Sequence, residues 1–373
     1  MIKNIILARN ILRNWLAYTF GFPLPVPVGY VIISTTYACN AKCRMCNLHE
    51  FYQKRPELSG KELDLLKMLD RIRESRILRS ISHIDLTGGE PFLRKDLRQF
   101  INGLFALPSI DLITVNTNGM LTNKIVEDVA GIVAALKSHQ RFSLSISIDG
   151  VGSLHDSIRG VPGAFDRVEK TVALLSAVQK RNSRFSLRSN SVIQPANLHS
   201  LDLIREYWEE HGMAGSFGVI QTPFYTHTSA QKSYNDIRQF TREELAIVKA
   251  ATPKSRGMNT YLDNGCKRPL HCFAGYSAMC IDPFGTIYPC NFLTGNEEYR
   301  IGSIRDAGLD ALWASRSAWN VRNKVKVCPF TQCWNGCEVD QTMIQFEPVN
   351  MALCASSLGL LSYYELKGFS KFQ

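Results

Sequence analysis

Two hydrophobic periods alternate along the chain. Six short runs have the length and β-branched content of strands: "VIISTT" (Val31–Thr36), "HIDLT" (His83–Thr87), "LITVN" (Leu112–Asn116), "FSLSISI" (Phe142–Ile148), "FSLRSNSVI" (Phe185–Ile193) and "FGVI" (Phe217–Ile220). After each of them apolar residues recur at helical spacing, which predicts helices near Gly60–Ile77, Lys95–Ala106, Asn123–Leu136, Ala164–Gln179, Leu198–His211 and Arg242–Ala251. Strand and helix in strict succession predict an α/β fold whose parallel strands are joined by crossover helices.

The strands are not apolar throughout, as a sheet buried on both faces would be. In "FSLSISID", Phe142, Leu144, Ile146 and Ile148 alternate with Ser143, Ser145, Ser147 and Asp149. The half-polar pattern returns in His83, Asp85 and Thr87, and again in Ser186, Arg188 and Asn190. One polar face on each strand predicts a curved, incompletely closed barrel with a wet inner wall, its ligands at the carboxyl ends of the strands. Alternation alone is equally compatible with a flat open sheet. Four candidate ligand segments follow the first four strands: the cysteine stretch "ACNAKCRMCN", then "LTGGEPFLR", "NTNGM" and "SIDG".

Near the N-terminus, Ile5, Ala8, Ile11, Leu12, Trp15 and Leu16 fall on one helical face, with Lys3, Arg9, Asn10, Arg13 and Asn14 largely on another. Such a helix docks on the domain or lies on an anionic membrane surface. No uninterrupted apolar run is long enough to span a bilayer and no cleavage site follows the first twenty residues, so the expectation is a cytoplasmic protein, with peripheral membrane contact through this helix. The formal charge of +10, from 43 Lys and Arg against 33 Asp and Glu, is dispersed. With no arginine-rich run and no aromatic RNA-binding signature, it argues for solubility and a mild preference for anions, and no nucleic-acid partner is expected.

Eleven cysteines in a chain without an export signal read as metal ligands in preference to disulfides. Three of them, Cys39, Cys43 and Cys46, stand within eight residues; the other eight lie between Cys266 and Cys354. Two metal-binding regions are therefore expected. Three thiolates can hold a metal centre on one side and leave a corner of it open, or a zinc ion completed by a residue such as His49.

With CxxxCxxC after the first strand and GGEP after the second, the sequence resembles the radical S-adenosylmethionine (SAM) enzymes over about Val31 to Ile220. The resemblance implies a partial (β/α)6 TIM-like barrel, with a [4Fe–4S] cluster on Cys39, Cys43 and Cys46 whose free iron binds the amino and carboxylate groups of SAM. It implies further that the backbone of Met45 meets the adenine, that Gly88, Gly89, Glu90 and Pro91 receive the methionine amino group, that Ser147 touches the ribose, and that Arg159 reaches the cofactor carboxylate. A plainer reading makes Ser147 a barrel filler and Arg159 an exposed loop residue; Asp149 has a weaker claim to cofactor or substrate.

The segment from Cys272 through Gly285 and Cys290 to "GSIRDAGLDALWAS", followed by "CPFTQCWNGC" and Cys354, resembles the SPASM extension that carries auxiliary clusters. By that resemblance Cys266, Cys272, Cys290 and Cys337 hold a first auxiliary cluster, and Cys328, Cys333 and Cys354 a second. The family's usual pair of cysteines two residues apart is represented here by Cys328 alone, which leaves the second cluster short of a ligand; Cys280, Asp340, water or substrate could fill the place, or the thiols could merely pack. Cys280, in an apolar strand-like context, reads as a buried thiol. Where the sulfatase-maturating members have an aspartate base, this chain has Asn291, an amide that takes no proton at neutral pH.

The expected organisation is an N-terminal helix and linker (1–30), the barrel (31–222), a helical linker (223–264) and a cysteine-rich extension (265–373). The expected activity is reductive cleavage of SAM and hydrogen abstraction from a peptide or from a sugar- or lipid-linked metabolite, giving oxidation, epimerisation or crosslinking. Only 38 residues precede Cys39, short of a leader-binding domain, which weighs against the peptide class. A flavodoxin- or ferredoxin-like reductant is the implied partner. The rival is a non-catalytic Fe–S or zinc protein acting in electron transfer or as an interaction module.

Overall fold

The structure, a computed structural model, describes residues 13–14, 16–21, 28–220, 240–252, 256–267, 272–328 and 333. Six parallel strands form its centre: β1 (Tyr30–Ser34), β2 (His83–Thr87), β3 (Leu112–Thr117), β4 (Arg141–Ser147), β5 (Phe185–Ile193) and β6 (Ala214–Val219). The crossovers and the element after β6 are α1 (Leu65–Glu74), α2 (Leu97–Phe105), α3 (Thr122–Ala135), α4 (Ala164–Arg181), α5 (Leu201–Glu210) and α6 (Arg242–Ala251). The helices cover the apolar face of the sheet. Val31, Ile33, Ile84, Leu86, Ile113, Val115, Phe142, Leu144 and Ile146 are all buried there, in one core with Met68, Phe100, Val129, Val172 and Ile204 of the helices. Burying side chains of this size contributes about 1.5–3 kcal/mol each.

The opposite face carries the polar half of the alternation, and the register aligns it. Asp85, Thr114, Ser143 and Ser186 stand in one row, and Asn116, Ser145 and Arg188 in the next. This is the inner wall of the partial barrel expected from the strands. It is drier than expected at β4, where Ser143 and Ser145 are only 4% and 8% exposed.

Local departures have local causes. The first strand stops at Ser34, short of the predicted Thr36, because Thr35 N–H turns to Thr87 O at 2.8 Å and Thr36 O is taken by Gly89 N–H at 2.7 Å. The first crossover helix starts at Leu65, where Asp64 caps it by accepting from Leu66 N–H and Lys67 N–H at 2.9 and 3.1 Å. The sixth strand begins at Ala214, three residues before the predicted start, in the weakly β-forming sequence "AGS". Pairing with β5 recruits it, and Gly215 is needed because a Cβ there would lie 1.8 Å from the Trp208 ring.

The sheet does not end at the boundary between barrel and extension. Three short strands, β7 (Ala278–Ile281), β8 (Thr286–Tyr288) and β9 (Gly302–Ser303), continue it from β1, giving the order β6-β5-β4-β3-β2-β1-β7-β8-β9 with β7 parallel to β1. At the N-terminus, residues 16–20 are helical and Ala17 is buried with Phe273 and Tyr276, while Tyr18 stacks on Phe273 at 4.5 Å. The described part of this segment is therefore docked on the cysteine-rich region. Asn14, assigned to the polar face, is 1% exposed. Most of the predicted amphipathic helix, Trp15 included, lies outside the described residues. No helix among the described residues is long and apolar enough to cross a membrane.

Asp310 ties the extension to the barrel: it accepts from Ser75 Oγ at 2.5 Å, Arg76 N–H at 2.9 Å and Ile77 N–H at 3.3 Å, just beyond α1. These bonds hold its carboxyl below the usual range even though partial burial opposes them. Asp310→Ala is expected to cost about 1–3 kcal/mol in urea unfolding, the cost of orphaning these donors. A depressed carboxyl stabilises the fold above its unfolded pKa and loses that contribution as the pH falls through the folded value. The advantage of wild type over Asp310→Asn should therefore shrink below pH 3.8.

Candidate active site

The cysteine loop leaves the end of β1 and is clasped from two sides. On the β2 side, Gly89 N–H donates to Thr36 O and Glu90 N–H to Ala38 O, at 2.7 and 2.8 Å. Only glycine permits this approach. A Cβ on Gly88, whose φ is +131°, would stand 2.3 Å from Thr36 O, and one on Gly89 would stand 2.1 Å from Ala38 O. On the other side, Lys42 and Arg44 N–H donate to Arg159 O and Ile158 O at 2.9 and 3.0 Å, at the end of a short helix (Ser153–Arg159).

Glu62, which sequence reasoning passed over, fixes the stem of the loop. Its Oε1 accepts from Tyr37 N–H at 2.7 Å, from Thr36 Oγ1 at 2.8 Å and from the Tyr52 hydroxyl, while Arg94 Nη1 holds Oε2 at 3.2 Å. One carboxylate thus grips both flanks of the cysteine triplet, since Thr36 and Tyr37 precede Cys39 and Tyr52 follows Cys46. The only sequence signal was a glutamate just ahead of a helix, which does not distinguish it from a capping residue.

Within the loop, Cys43 is buried and Cys39 and Cys46 are half-buried. Burial pushes the Cys39 thiol up to about 11 and the Cys46 thiol up to about 12, and in both the neighbouring cysteines of the triplet add to the rise. Three thiolates this close are mutually repulsive and need cationic iron to ionise together. Arg159 supplies one fixed positive charge, with Nη1 3.6 Å from Cys43 Sγ. The donor set therefore fits an iron–sulfur cluster.

Arg159 is not an exposed loop residue: it is 8% exposed and lies 2.6 Å from Asp149 Oδ2. Asp149 is more central than its sequence suggested. Fully buried, it accepts from Val192 N–H at 2.8 Å, and burial raises its carboxyl above the ordinary range while Arg159 opposes the rise. His155, whose Nδ1 accepts from Asp149 N–H at 3.3 Å, is pushed down to about 3 by burial and is neutral. Glu90 has no exposed surface, and its carboxylate is occupied by Phe92 N–H, Thr117 Oγ1 and Asn118 N–H at 3.1, 2.8 and 2.8 Å; burial still pushes it up to about 7. That side chain locks the β2 turn to the end of β3. Asn118 also donates to Asn40 Oδ1 at 2.7 Å, joining the third rim segment to the cysteine loop. Pro91 is buried at the start of a 3-10 turn, Met45 packs half-buried on the core, and Ser147 ends β4 half-exposed on the inner wall.

The structure brings Cys39, Cys43, Cys46, Gly88, Gly89, Glu90, Asp149 and Arg159 to one rim. In the extension, Cys266 and Cys290 are buried, Cys272, Cys328 and Cys333 are half-buried, and Cys280 is fully buried on β7. Cys337, Asp340 and Cys354 lie outside the described residues.

Comparison with known proteins matches residues 33–195 to the radical SAM superfamily and residues 272–338 to the SPASM iron–sulfur cluster-binding domain. The chain is a radical SAM enzyme of the SPASM subgroup. Its cofactors are SAM, a [4Fe–4S] cluster and auxiliary iron–sulfur centres of the SPASM domain. Among its relatives is the antilisterial bacteriocin subtilosin biosynthesis protein AlbA of Bacillus subtilis (strain 168), 23% identical over 85% of this chain and 68% of AlbA. A probable GTP 3′,8-cyclase of Saccharolobus solfataricus is 27% identical over 72% of this chain and 85% of its own. In fold this radical SAM enzyme is similar to Streptococcus suis SuiB, with a TM-score of 0.58 at 16% identity over 80% of this chain and 68% of SuiB. SuiB has also been solved with SAM and with the precursor peptide SuiA.

Because the glycine pair sets the loop's seat, Gly89→Ala should lose about 1–3 kcal/mol of stability through overpacking and weaken SAM binding by about tenfold or more, the equivalent of 1.4 kcal/mol. Equilibrium dialysis of the reconstituted enzyme reads the second effect. Gly308→Ala, with no atom near the added Cβ, should leave both quantities unchanged.

Proposed function

We propose that this enzyme abstracts hydrogen from a C–H bond of a peptide and oxidises or crosslinks it. The observation that carries the reading is the docking of the glycine turn on the cysteine loop at the rim of a barrel with a polar inner wall. The peptide class is favoured by the AlbA relationship, which spans most of both chains.

In this reading, residues 31–222 form the catalytic barrel and 265–373 the auxiliary-cluster extension. Cys39, Cys43 and Cys46 hold the [4Fe–4S] cluster, and Cys266, Cys272, Cys290, Cys328, Cys333, Cys337 and Cys354 serve the auxiliary centres. When bound, the cluster and SAM supply a 5′-deoxyadenosyl radical, the agent for unactivated C–H bonds. The protein's share is positioning. The Gly88–Pro91 segment presents backbone to the methionine amino group, the Met45 backbone meets the adenine, and Ser147 offers a hydroxyl to the ribose. Arg159, held by Asp149, sets a cation beside Cys43 and toward the cofactor carboxylate. The burial of Glu90, Asp149 and Arg159 strengthens their electrostatic hold.

After anaerobic reconstitution the protein should be brown and release 5′-deoxyadenosine with dithionite, and Cys43→Ala should reduce that release to background. An intact, cluster-loaded protein that leaves SAM whole would refute the reading.

A further inference from the structure

The polar inner wall is not equally open across its width. In the middle of β4 it is nearly closed, with Ser143 and Ser145 buried, whereas Ser186, Arg188 and Asn190 of β5 and Ala214 and Ser216 of β6 are all exposed. Arg188 stands in the row of Asn116 and Ser145, one row below Ser147, Asn190 and Ser216, which lie toward the rim. Apart from Arg141 at the start of β4, it is the only lysine or arginine that the six described strands place on this face. Its neighbours in the row are Ser145 on one side and Ala214 on the other, side chains too short to cover a guanidinium.

Among the described residues the Arg188 side chain has no hydrogen-bond or ion-pair partner. Asp85, the one acidic residue that the six strands place on this face, is three strands away and is engaged by the Tyr30 hydroxyl and by His83 Nε2 at 2.7 Å. Asp149 and Glu90 are buried in the ties of the rim. An arginine on a convex surface needs no partner, because water surrounds it. On a concave wall lined by neutral side chains its charge is focused into the cleft. The next row adds a second donor: Ser216 Oγ donates to Asn190 Oδ1 at 3.4 Å, which leaves the Asn190 amide N–H groups unused on the face that Arg188 occupies, two residues and about 7 Å along the strand. A guanidinium and an amide, both donors, with no anion between them suit a carboxylate. A phosphate, with more oxygens and more charge, would call for further cations that the described wall does not hold.

We propose that Arg188 is a specificity-determining residue that binds a carboxylate of the substrate, borne by the residue under attack or by its immediate neighbour as an acidic side chain or a chain end. The proposal rests on the reading of the substrate as a peptide and of the rim as the SAM site. Its reach follows from the register. Arg188 lies one row, about 7 Å, below Ser147, and two extended peptide residues cover that distance. The SAM-binding and cluster-binding roles leave Arg188 unused.

The test compares peptides and metabolites by mass spectrometry in cells with and without the wild-type enzyme, then assays purified wild type, Arg188→Gln, Arg188→Lys and Arg141→Gln on the peptide so identified and on a synthetic counterpart with the acid replaced by its amide. The wild-type product should carry Asp, Glu or a free C-terminus at the modified residue or beside it, and wild type should prefer the acid peptide to the amide. Arg188→Gln should raise KM for the acid peptide by about tenfold or more, the scale of one hydrogen bond to a charged group, and should use acid and amide alike, with iron content and substrate-free release of 5′-deoxyadenosine unchanged. Arg188→Lys should fall between, and Arg141→Gln should match wild type. A product with no carboxylate at those positions overturns the proposal, as does a wild-type KM in Arg188→Gln or a loss of its iron, which would make the arginine a structural residue. Should that variant fail to accumulate, a wild type indifferent to acid and amide overturns it equally. A wild type that modifies a metabolite and no peptide overturns the peptide reading alone if the metabolite is a carboxylate whose KM rises in Arg188→Gln, and overturns both inferences if it is not.

Discussion

Backbone against backbone, with no side chain between, is the contact on which this molecule's chemistry depends. Gly88 and Gly89 press against the carbonyls of Thr36 and Ala38 so closely that any Cβ would collide. Two hydrogen bonds between the same segments fix the distance. The position of the cysteine triplet relative to the β2 turn is thereby set by backbone contact and backbone hydrogen bonds and not by adjustable side-chain packing. Glu62 completes the constraint by gripping the loop's two flanks from outside, and Arg94 anchors Glu62 to the segment just past the glycines. A cofactor that must touch both the cluster and the turn needs this kind of fixed frame, since small displacements of reacting groups cost large factors in rate.

Electrostatics follows from the same burial. Arg159, Asp149 and Glu90 are nearly or wholly withdrawn from water. A buried charge is tolerated when its partners are well placed and is costly when one is removed. Here the partners are the other elements of the rim: Arg159 joins Asp149 to Cys43, and Glu90 joins the β2 turn to β3 and Asn118. Those ties make the rim a connected unit in which each loop is held by at least one other. The inner wall below it is different in character, polar toward β2–β5 and aromatic toward β1, β7 and β8.

Much of this architecture was legible in the sequence because period-2 and helical patterns follow burial directly. "HIDLT" and "FSLRSNSVI" fold over the residues predicted, and the helix at Arg242–Ala251 begins where Thr241 and Glu244 form a capping box. Strands set by pairing were harder to read. The start of β6 is glycine-rich and becomes a strand only beside β5, and the parallel joining of β7 to β1 depends on a contact across most of the chain. In the site, the cysteines and glycines were visible because their chemistry needs those residue types at short spacing. Glu62 was not, since a carboxylate acting across sequence distance leaves no local pattern, and Asn118 was visible only as part of the segment after the third strand. Asp85 was noticed only as part of an alternation, and its network with Tyr30 and His83 needed the register of three strands.

The central claim is that three N-terminal thiolates hold a cluster with one iron open to SAM. Mössbauer spectroscopy of the enzyme reconstituted with iron-57 tests it most directly, before and after SAM is added. The account predicts that a single iron of one cluster changes to a spectrum of higher coordination on SAM binding, and that this change is absent when Cys39, Cys43 and Cys46 are replaced while the auxiliary iron remains. Unchanged spectra on saturation with SAM, or the same change in the triple variant, would contradict it.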